Sequence, residues 1–182
     1  AQGAVIISHG VSGSGKSHVV RRLPELLPAV RLRSDVERKR LLGLDAHKDA
    51  TAEGAYSSEL TQLTYARLAE FATEVVQAGM VAIVDATFLR RDLRARFHAL
   101  AHAMQIPFVI LDCDAPVEIL RERILARRRQ ADNVSDADLE VLDAQLQTRE
   151  PLSTDERRYA IIVGPGQPLS ADALLERLGR VR

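Results

Sequence analysis

Ala4-Val5-Ile6-Ile7 leads through Ser8-His9 into Gly10-Val11-Ser12-Gly13-Ser14-Gly15-Lys16-Ser17, and the last eight residues follow the spacing G-x-x-x-x-G-K-[ST]. The spacing carries weight because a short β-branched run precedes it and a helix-compatible stretch follows it. Its glycines reach backbone conformations closed to other residues, so several N–H groups can converge on phosphate oxygens at a helix N-terminus, where the dipole already favours an anion. In that arrangement Gly10, Ser12, Gly13, Ser14, Gly15 and His18 surround the phosphates of a nucleotide, Lys16 reaches the β- and γ-phosphates, and the Ser17 hydroxyl ligates Mg²⁺. A plain Gly/Ser-rich turn is the simpler alternative, but a turn requires neither the Lys-Ser pair nor three glycines at these intervals.

Outward from this stretch, residues 4–8 read as a buried strand, and the helix that starts near Gly15 is kept short by Pro24 and Pro28. Ala29 to Arg33 predicts a second strand that delivers Ser34-Asp35 to its carboxyl end, followed by a short helix from Val36 to Leu42 stopped at Gly43. Asp45 to Thr51 is polar and reads as a surface loop. A long helix runs from about Gly54 to Ala78, with Leu60, Leu63, Leu68, Phe71 and Val75 as its apolar face and Gly79 closing it. Met80 to Val84 and Pro107 to Leu111 predict the third and fourth strands, separated by a helix from Arg90 to Met104. Pro116 suits the first residue of a helix reaching about Arg129, and Ser135 to Asp138 reads as a capping box for a helix carrying Leu139, Leu142 and Leu146. Tyr159 to Val163 supplies a fifth strand, and Ser170 caps a closing helix. Short apolar strands alternating with amphipathic helices imply a parallel sheet covered on both faces, in which ligands gather at the carboxyl ends of the strands.

That rule sets Asp35, Asp85 and Asp112, each at a predicted strand end, beside the glycine-rich loop. Asp35 is placed to accept or orient the proton of an attacking hydroxyl, with Arg38 one helical turn later to hold an anionic group of the acceptor. Asp85 ends an apolar strand, the position for a carboxylate near Mg²⁺ and its waters, and Thr87 offers a hydroxyl to substrate or phosphate. Both acids have a simpler use as helix caps, and the choice of base between them stays open. Asp112 and Asp114 read as turn and capping residues, and Cys113 as half-buried. On the helix from Pro116, Arg123 and Arg127 share one flank at i,i+4 spacing, where their mutual repulsion calls for an anion between them. The two helices over residues 116–150 then form a lid that carries a guanidinium over the γ-phosphate; which arginine reaches it is open, and a solvated face is the alternative. His98 and His102 share a helix face without a third ligand and read as surface residues. Tyr56 suits either the acceptor pocket or core packing.

With 182 residues and 46 % hydrophobic content, the chain has material for one sizeable core and reads as a single domain. Lys+Arg and Asp+Glu are both 25, so net charge points to neither a nucleic-acid nor a membrane partner. Cys113 is the only cysteine, which excludes an intrachain disulfide and a cysteine-based zinc site. No apolar run is long enough for a bilayer span, no signal-peptide pattern is present, and a cytoplasmic setting is expected. The chain opens Ala-Gln-Gly rather than with Met, which fits processing, a tag scar, or a domain cut from a longer fused protein.

Through Gly10–Ser17, Arg33-Ser34-Asp35-Val36-Glu37-Arg38, Val84-Asp85-Ala86-Thr87-Phe88-Leu89 and Arg123 to Arg127, the chain resembles the predicted-kinase branch of P-loop kinases. These are relatives of polynucleotide kinase, gluconate and shikimate kinases and the zeta toxins. The resemblance implies an α/β fold with a five-stranded parallel sheet flanked by helices, a helical lid, ATP as donor and Mg²⁺ at Ser17 and Asp85. It implies Lys16, Asp35 and Arg127 as catalytic residues, Arg123 on the nucleotide, and Arg33, Arg38, Asp85 and Thr87 beside Asp35 on the substrate. The Asp35-x-x-Arg38 spacing is similar to that of polynucleotide 5′-kinases, where the Asp acts on the acceptor hydroxyl and the Arg holds the adjacent phosphate. Asp85-Ala86-Thr87 departs from their Asp-Thr-Asn, which ranks a small-molecule hydroxyl first as acceptor and a polynucleotide 5′-hydroxyl second. A non-catalytic nucleotide switch is the third expectation. It needs the phosphate cradle but no acceptor-directed carboxylate, so Asp35, Asp85 and Arg127 together favour an enzyme.

Overall fold

Every residue of β1 (Ala4–His9) is buried, as a strand is only in the middle of a sheet covered on both faces. The computed structural model describes residues 2–11, 13–44, 53–130 and 137–179. β2 (Ala29–Arg33), β3 (Val81–Asp85), β4 (Phe108–Cys113) and β5 (Ala160–Val163) complete a five-stranded parallel sheet in the order β2-β3-β1-β4-β5. The period of two decides the layers. Val5, Ile7, Val84 and Ile110 face α3 (Glu53–Gln77) and α4 (Arg91–Ala103), while Ile6, Ile83 and Leu111 face α1 (Lys16–Arg21) and α8 (Ala171–Arg177). Since β1 lies between β3 and β4, the loop leaving it emerges at the crevice where such sheets take ligands. Above that crevice, Leu120 and Ile124 of α5 (Val117–Gln130) and Leu142 of α6 (Ala137–Thr148) enclose Val11 in a small core of their own.

Three local expectations change. Gly43 does not stop the second helix: α2 (Ser34–Leu44) starts two residues before Val36 and runs through the glycine, its packing on α3 outweighing the roughly 1 kcal/mol propensity cost. The buried stripe of α3 is Leu60, Thr64, Leu68, Ala72 and Val76, whereas Leu63 is 46 % exposed. Thr64 escapes a hydrophobic pattern because its hydroxyl is silenced within the helix, donating to the Leu60 carbonyl at 2.7 Å. A one-turn helix, α7 (Thr154–Arg157), precedes β5, closed by a capping box between Ser153 and Glu156. The loop expected at 45–51 and the cap expected at Ser135 lie outside the described residues, as does the side chain of Tyr56.

Arg94, on α4, is 1 % exposed. Its five N–H donors are all used: Nε and Nη2 on the Glu156 carboxylate at 2.7 and 3.1 Å, Nη1 on the carbonyls of Phe88 and Glu150 at 2.8 and 3.1 Å, and Nη2 on that of Pro151 at 3.3 Å. Burial pushes Glu156 upward, but Arg94 and the Ser153 N–H outweigh it and hold the carboxyl below the usual range. Its contribution to stability is therefore complete above the unfolded glutamate value and is lost as pH falls through the lower folded one. Arg94→Ala should cost about 3–5 kcal/mol, the scale for removing one partner of a buried pair, and urea unfolding measures it. Glu156→Gln should flatten the acid limb of the stability–pH curve; an unchanged limb would mean that the carboxylate is not held by Arg94 in solution.

Candidate active site

The glycine-rich loop is held between two strand ends. Gly10 donates its N–H to the Thr87 carbonyl at 3.1 Å, and a Cβ there would lie 2.7 Å from the Cys113 carbonyl oxygen, so no side chain fits. Gly15 sits at φ +91°, the left-handed turn from which α1 departs with its N–H groups directed into the loop. Ser14 Oγ is buried and, among the described residues, has no hydrogen-bond partner, an orphan donor in the place where phosphate oxygens are expected. Lys16 Nζ makes a long contact of 3.4 Å to the Val11 carbonyl, and Arg123 reaches in from α5 to donate to the Gly13 carbonyl at 3.1 Å. Ser12 lies outside the described residues, and His18 is exposed on α1 at the rim of a neighbouring cleft.

Asp85, at the end of β3, brings in the second strand end. Its Oδ1 lies 3.3 Å from Ser17 Oγ, which donates to it. A hydroxyl and a carboxylate converging on one spot form the hard oxygen set that Mg²⁺ takes when substrate phosphates complete its shell. Among the described residues no cluster of three or more His, Cys, Asp or Glu offers a self-sufficient metal site. The other carboxylate oxygen, Oδ2, accepts from Nε of Arg31 at 3.0 Å and from Arg31 Nη2. Beneath, Ser8 Oγ donates to the Ala86 carbonyl at 2.7 Å and accepts the Ala86 N–H at 3.1 Å, clamping the β3 exit to β1.

One charge connects these parts. Burial holds the Lys16 ammonium below the ordinary lysine range, Arg127 lowers it further, and Asp85 and Asp35 act in the opposite sense. Lys16 thus feels residues from β3, α2 and α5 together. Cys113 behind it is fully buried rather than half-buried; burial pushes its thiol up to about 12, so it stays neutral.

Beyond the end of β2, Asp35 and Arg33 are both exposed and make a two-pronged pair at 3.1 and 2.6 Å. Desolvation raises Asp35, yet Arg33 and nearby backbone N–H groups together outweigh it and hold the carboxyl below the usual carboxylate range. Arg38 donates across to Thr61 of α3 at 3.3 Å. The Thr87 hydroxyl is bonded to that of Tyr65, which also accepts the Phe88 N–H at 3.2 Å. Asp112 is no turn residue: it lies within β4 in register with His9, and their side chains meet at 2.7 Å. His98 is not a plain surface residue, because its ring packs 4.7 Å from Tyr159 and 5.2 Å from Phe108. Arg31 and Tyr65 went unremarked in the sequence; two arginines at alternate positions of a five-residue strand were the available signal for the first, since they must share a face.

A cleft of about 470 Å³ opens beside the loop, between α1 and the turn after β5, lined by Gly15, His18, Arg22, Leu26, Pro165 and Pro168 among others. No described helix is long and apolar enough to cross a membrane.

A family model described as an AAA domain matches residues 5–152, and the chain belongs to that family. No curated protein matches the chain in sequence. Among solved structures, a putative kinase from Chloroflexus aurantiacus J-10-fl shares 22 % identity over 100 % of both chains with a TM-score of 0.68. The Mycobacterium tuberculosis APS kinase CysC, solved with AMPPNP and APS, shares 22 % over 98 % of both chains with a TM-score of 0.63. The Pnkp1/Rnl/Hen1 RNA repair complex shares 24 % over 80 % of this chain and 44 % of that one, with a TM-score of 0.55. These likenesses establish the fold.

Because Lys16 is depressed without nucleotide and gains anionic partners with it, ATP binding should take up a proton at alkaline pH, and affinity should fall as pH rises through the depressed Lys16 value. Calorimetry in buffers of different ionisation heat measures the uptake; none at any alkaline pH would separate Lys16 from the phosphates.

Proposed function

We propose that the chain is an ATP-dependent phosphotransferase that moves the γ-phosphoryl group to a hydroxyl of a small-molecule acceptor. The observation that carries this reading is the glycine-rich loop itself, whose buried Ser14 Oγ has no partner among the described residues and whose Ser17 hydroxyl stands 3.3 Å from the Asp85 carboxylate. The cleft of about 470 Å³ would receive the nucleoside, leaving the triphosphate along the loop. Lys16 and the loop N–H groups would hold the β- and γ-phosphates, with Arg123 beside them. Mg²⁺, held through Ser17 and Asp85, would neutralise charge on the bridging phosphate oxygens.

The acceptor oxygen attacks the γ-phosphorus as the bond to the β–γ bridging oxygen breaks, ADP departs, and the hydroxyl proton passes to Asp35 or to the transferred phosphoryl group. In a loose transition state the nucleophile needs little activation, so an ionised carboxylate serves chiefly by aligning the hydroxyl. Asp35, kept ionised by Arg33, suits that task. Arg127 is exposed on the lid helix, and closure would bring it onto charge that builds during transfer. The arginines beside the acceptor are largely matched, Arg31 with Asp85 and Arg33 with Asp35, which favours a small acceptor over a polyanion. The Asp35–Arg38 spacing supports a polynucleotide 5′-hydroxyl as the second reading.

Labelled ATP offered with a metabolite set and with a 5′-hydroxyl oligonucleotide tests the assignment. Lys16→Ala should abolish transfer. Asp35→Asn should lower the rate constant on the order of 10²- to 10⁴-fold with ATP affinity retained. Parental transfer by Asp35→Asn would move the base to Asp85. Oligonucleotide binding that weakens steeply with salt would promote the second reading.

A further inference from the structure

Arg31 lies outside every motif that marks this site. In the parallel β2–β3 pairing it stands opposite Ile83, two residues short of the carboxyl end. Alternation puts Ile83 and Asp85 on one face, so the Arg31 side chain, leaning along the strand, meets the Asp85 carboxylate diagonally. The contact is unequal. Nε at 3.0 Å and Nη2 both take Oδ2, which leaves Oδ1 to Ser17 Oγ at 3.3 Å. The Asp85 side chain is 5 % exposed and that of Arg31 is 19 % exposed, so water screens this pair less than the Arg33–Asp35 pair nearby, at 46 % and 57 %.

We propose that Arg31 is a positioning residue which acts as a built-in counter-cation for Asp85, holding the carboxylate in place before a divalent ion arrives and weakening the site's affinity for that ion. The inference rests on the reading of Ser17 and Asp85 as metal-holding residues. A buried carboxylate without a partner would be costly in the nucleotide-free protein, and Arg31 removes that cost. The same guanidinium then repels an incoming dication and claims one of the two oxygens. Arg31 thereby keeps the site from loading metal alone and makes loading depend on the phosphates that accompany the ion.

The test is Mn²⁺ binding to the full chain with saturating ADP, followed by water-proton relaxation, which needs no turnover. Arg31→Met should tighten Mn²⁺ binding roughly tenfold, the part of a nearby unit charge that exposure and salt leave effective. Arg31→Lys, which keeps the charge, should stay near the parental value. Unchanged or weaker binding in Arg31→Met overturns the proposal. Asp85→Asn is the separate check on the underlying reading: if it leaves Mn²⁺ affinity intact, Asp85 is not a metal residue and both readings fall, whereas loss in Asp85→Asn with no change in Arg31→Met removes Arg31 alone. Should Arg31→Met not fold, the parental protein suffices. The ¹⁵Nε–H signal of Arg31, assigned through Arg31→Lys, should shift when Mg²⁺ is added to the ADP complex, and a signal that does not move overturns the proposal.

Discussion

A guanidinium buried to 1 % exposure is tolerable only when each of its donors is met, and in Arg94 this requires three separate segments to be in place at once. The loop after β3 supplies the Phe88 carbonyl, the chain leaving α6 supplies those of Glu150 and Pro151, and α7 supplies the Glu156 carboxylate. Glu150 adds its own N–H to the Leu89 carbonyl at 2.8 Å. The β3 exit carrying Asp85 and Thr87 is thus tied to the segment that follows α6. Phe88 accepts a positive φ of 49° there, a strain offset by its ring, which meets Tyr65 and Phe97 edge-on at 5.0 and 5.1 Å.

Strand periodicity and the eight-residue loop spacing made the sheet and the cradle legible, because both depend on local rules: alternation on the pleat and glycine where a side chain would collide. The positions of Asp35 and Asp85 at the carboxyl edge beside that loop follow from the order of elements alone, whereas Lys16 is read from the loop spacing itself. What stayed hidden was long-range pairing. Arg94 occupies the apolar face of α4 three residues before Phe97, and nothing local announces a charge whose partners other than Phe88 lie 56 to 62 positions away. Arg31 hid in the same way behind a partner on another strand. Asp112 was misassigned because a polar residue at a strand end looks like a turn until the neighbouring strand presents His9 at its level. Thr64 was missed because a threonine that bonds its own helix behaves as a core residue.

A balanced total charge conceals a steep local arrangement. Lys16, Arg31, Arg33, Arg38, Arg123 and Arg127 all gather about the carboxyl edge of the sheet, while the acids that compensate them are fewer and partly engaged. Asp85 answers Arg31, and Asp35 answers Arg33. Lys16 is left to experience two carboxylates already shared with guanidinium groups, together with its own burial. An anionic ligand entering this edge is therefore met by a positive excess that the composition does not reveal.

The Val11 side chain packs into the apolar cluster formed by Leu120, Ile124 and Leu142. One residue of the loop is thus a core residue of the α5–α6 pair, and the fit between them is set by volume as much as by charge. An α5–α6 pair transplanted with a socket shaped for a different side chain would disturb the geometry of the glycine-rich loop even if every polar contact were copied faithfully, so loop and helix pair are a matched set that recombination has to move as one piece.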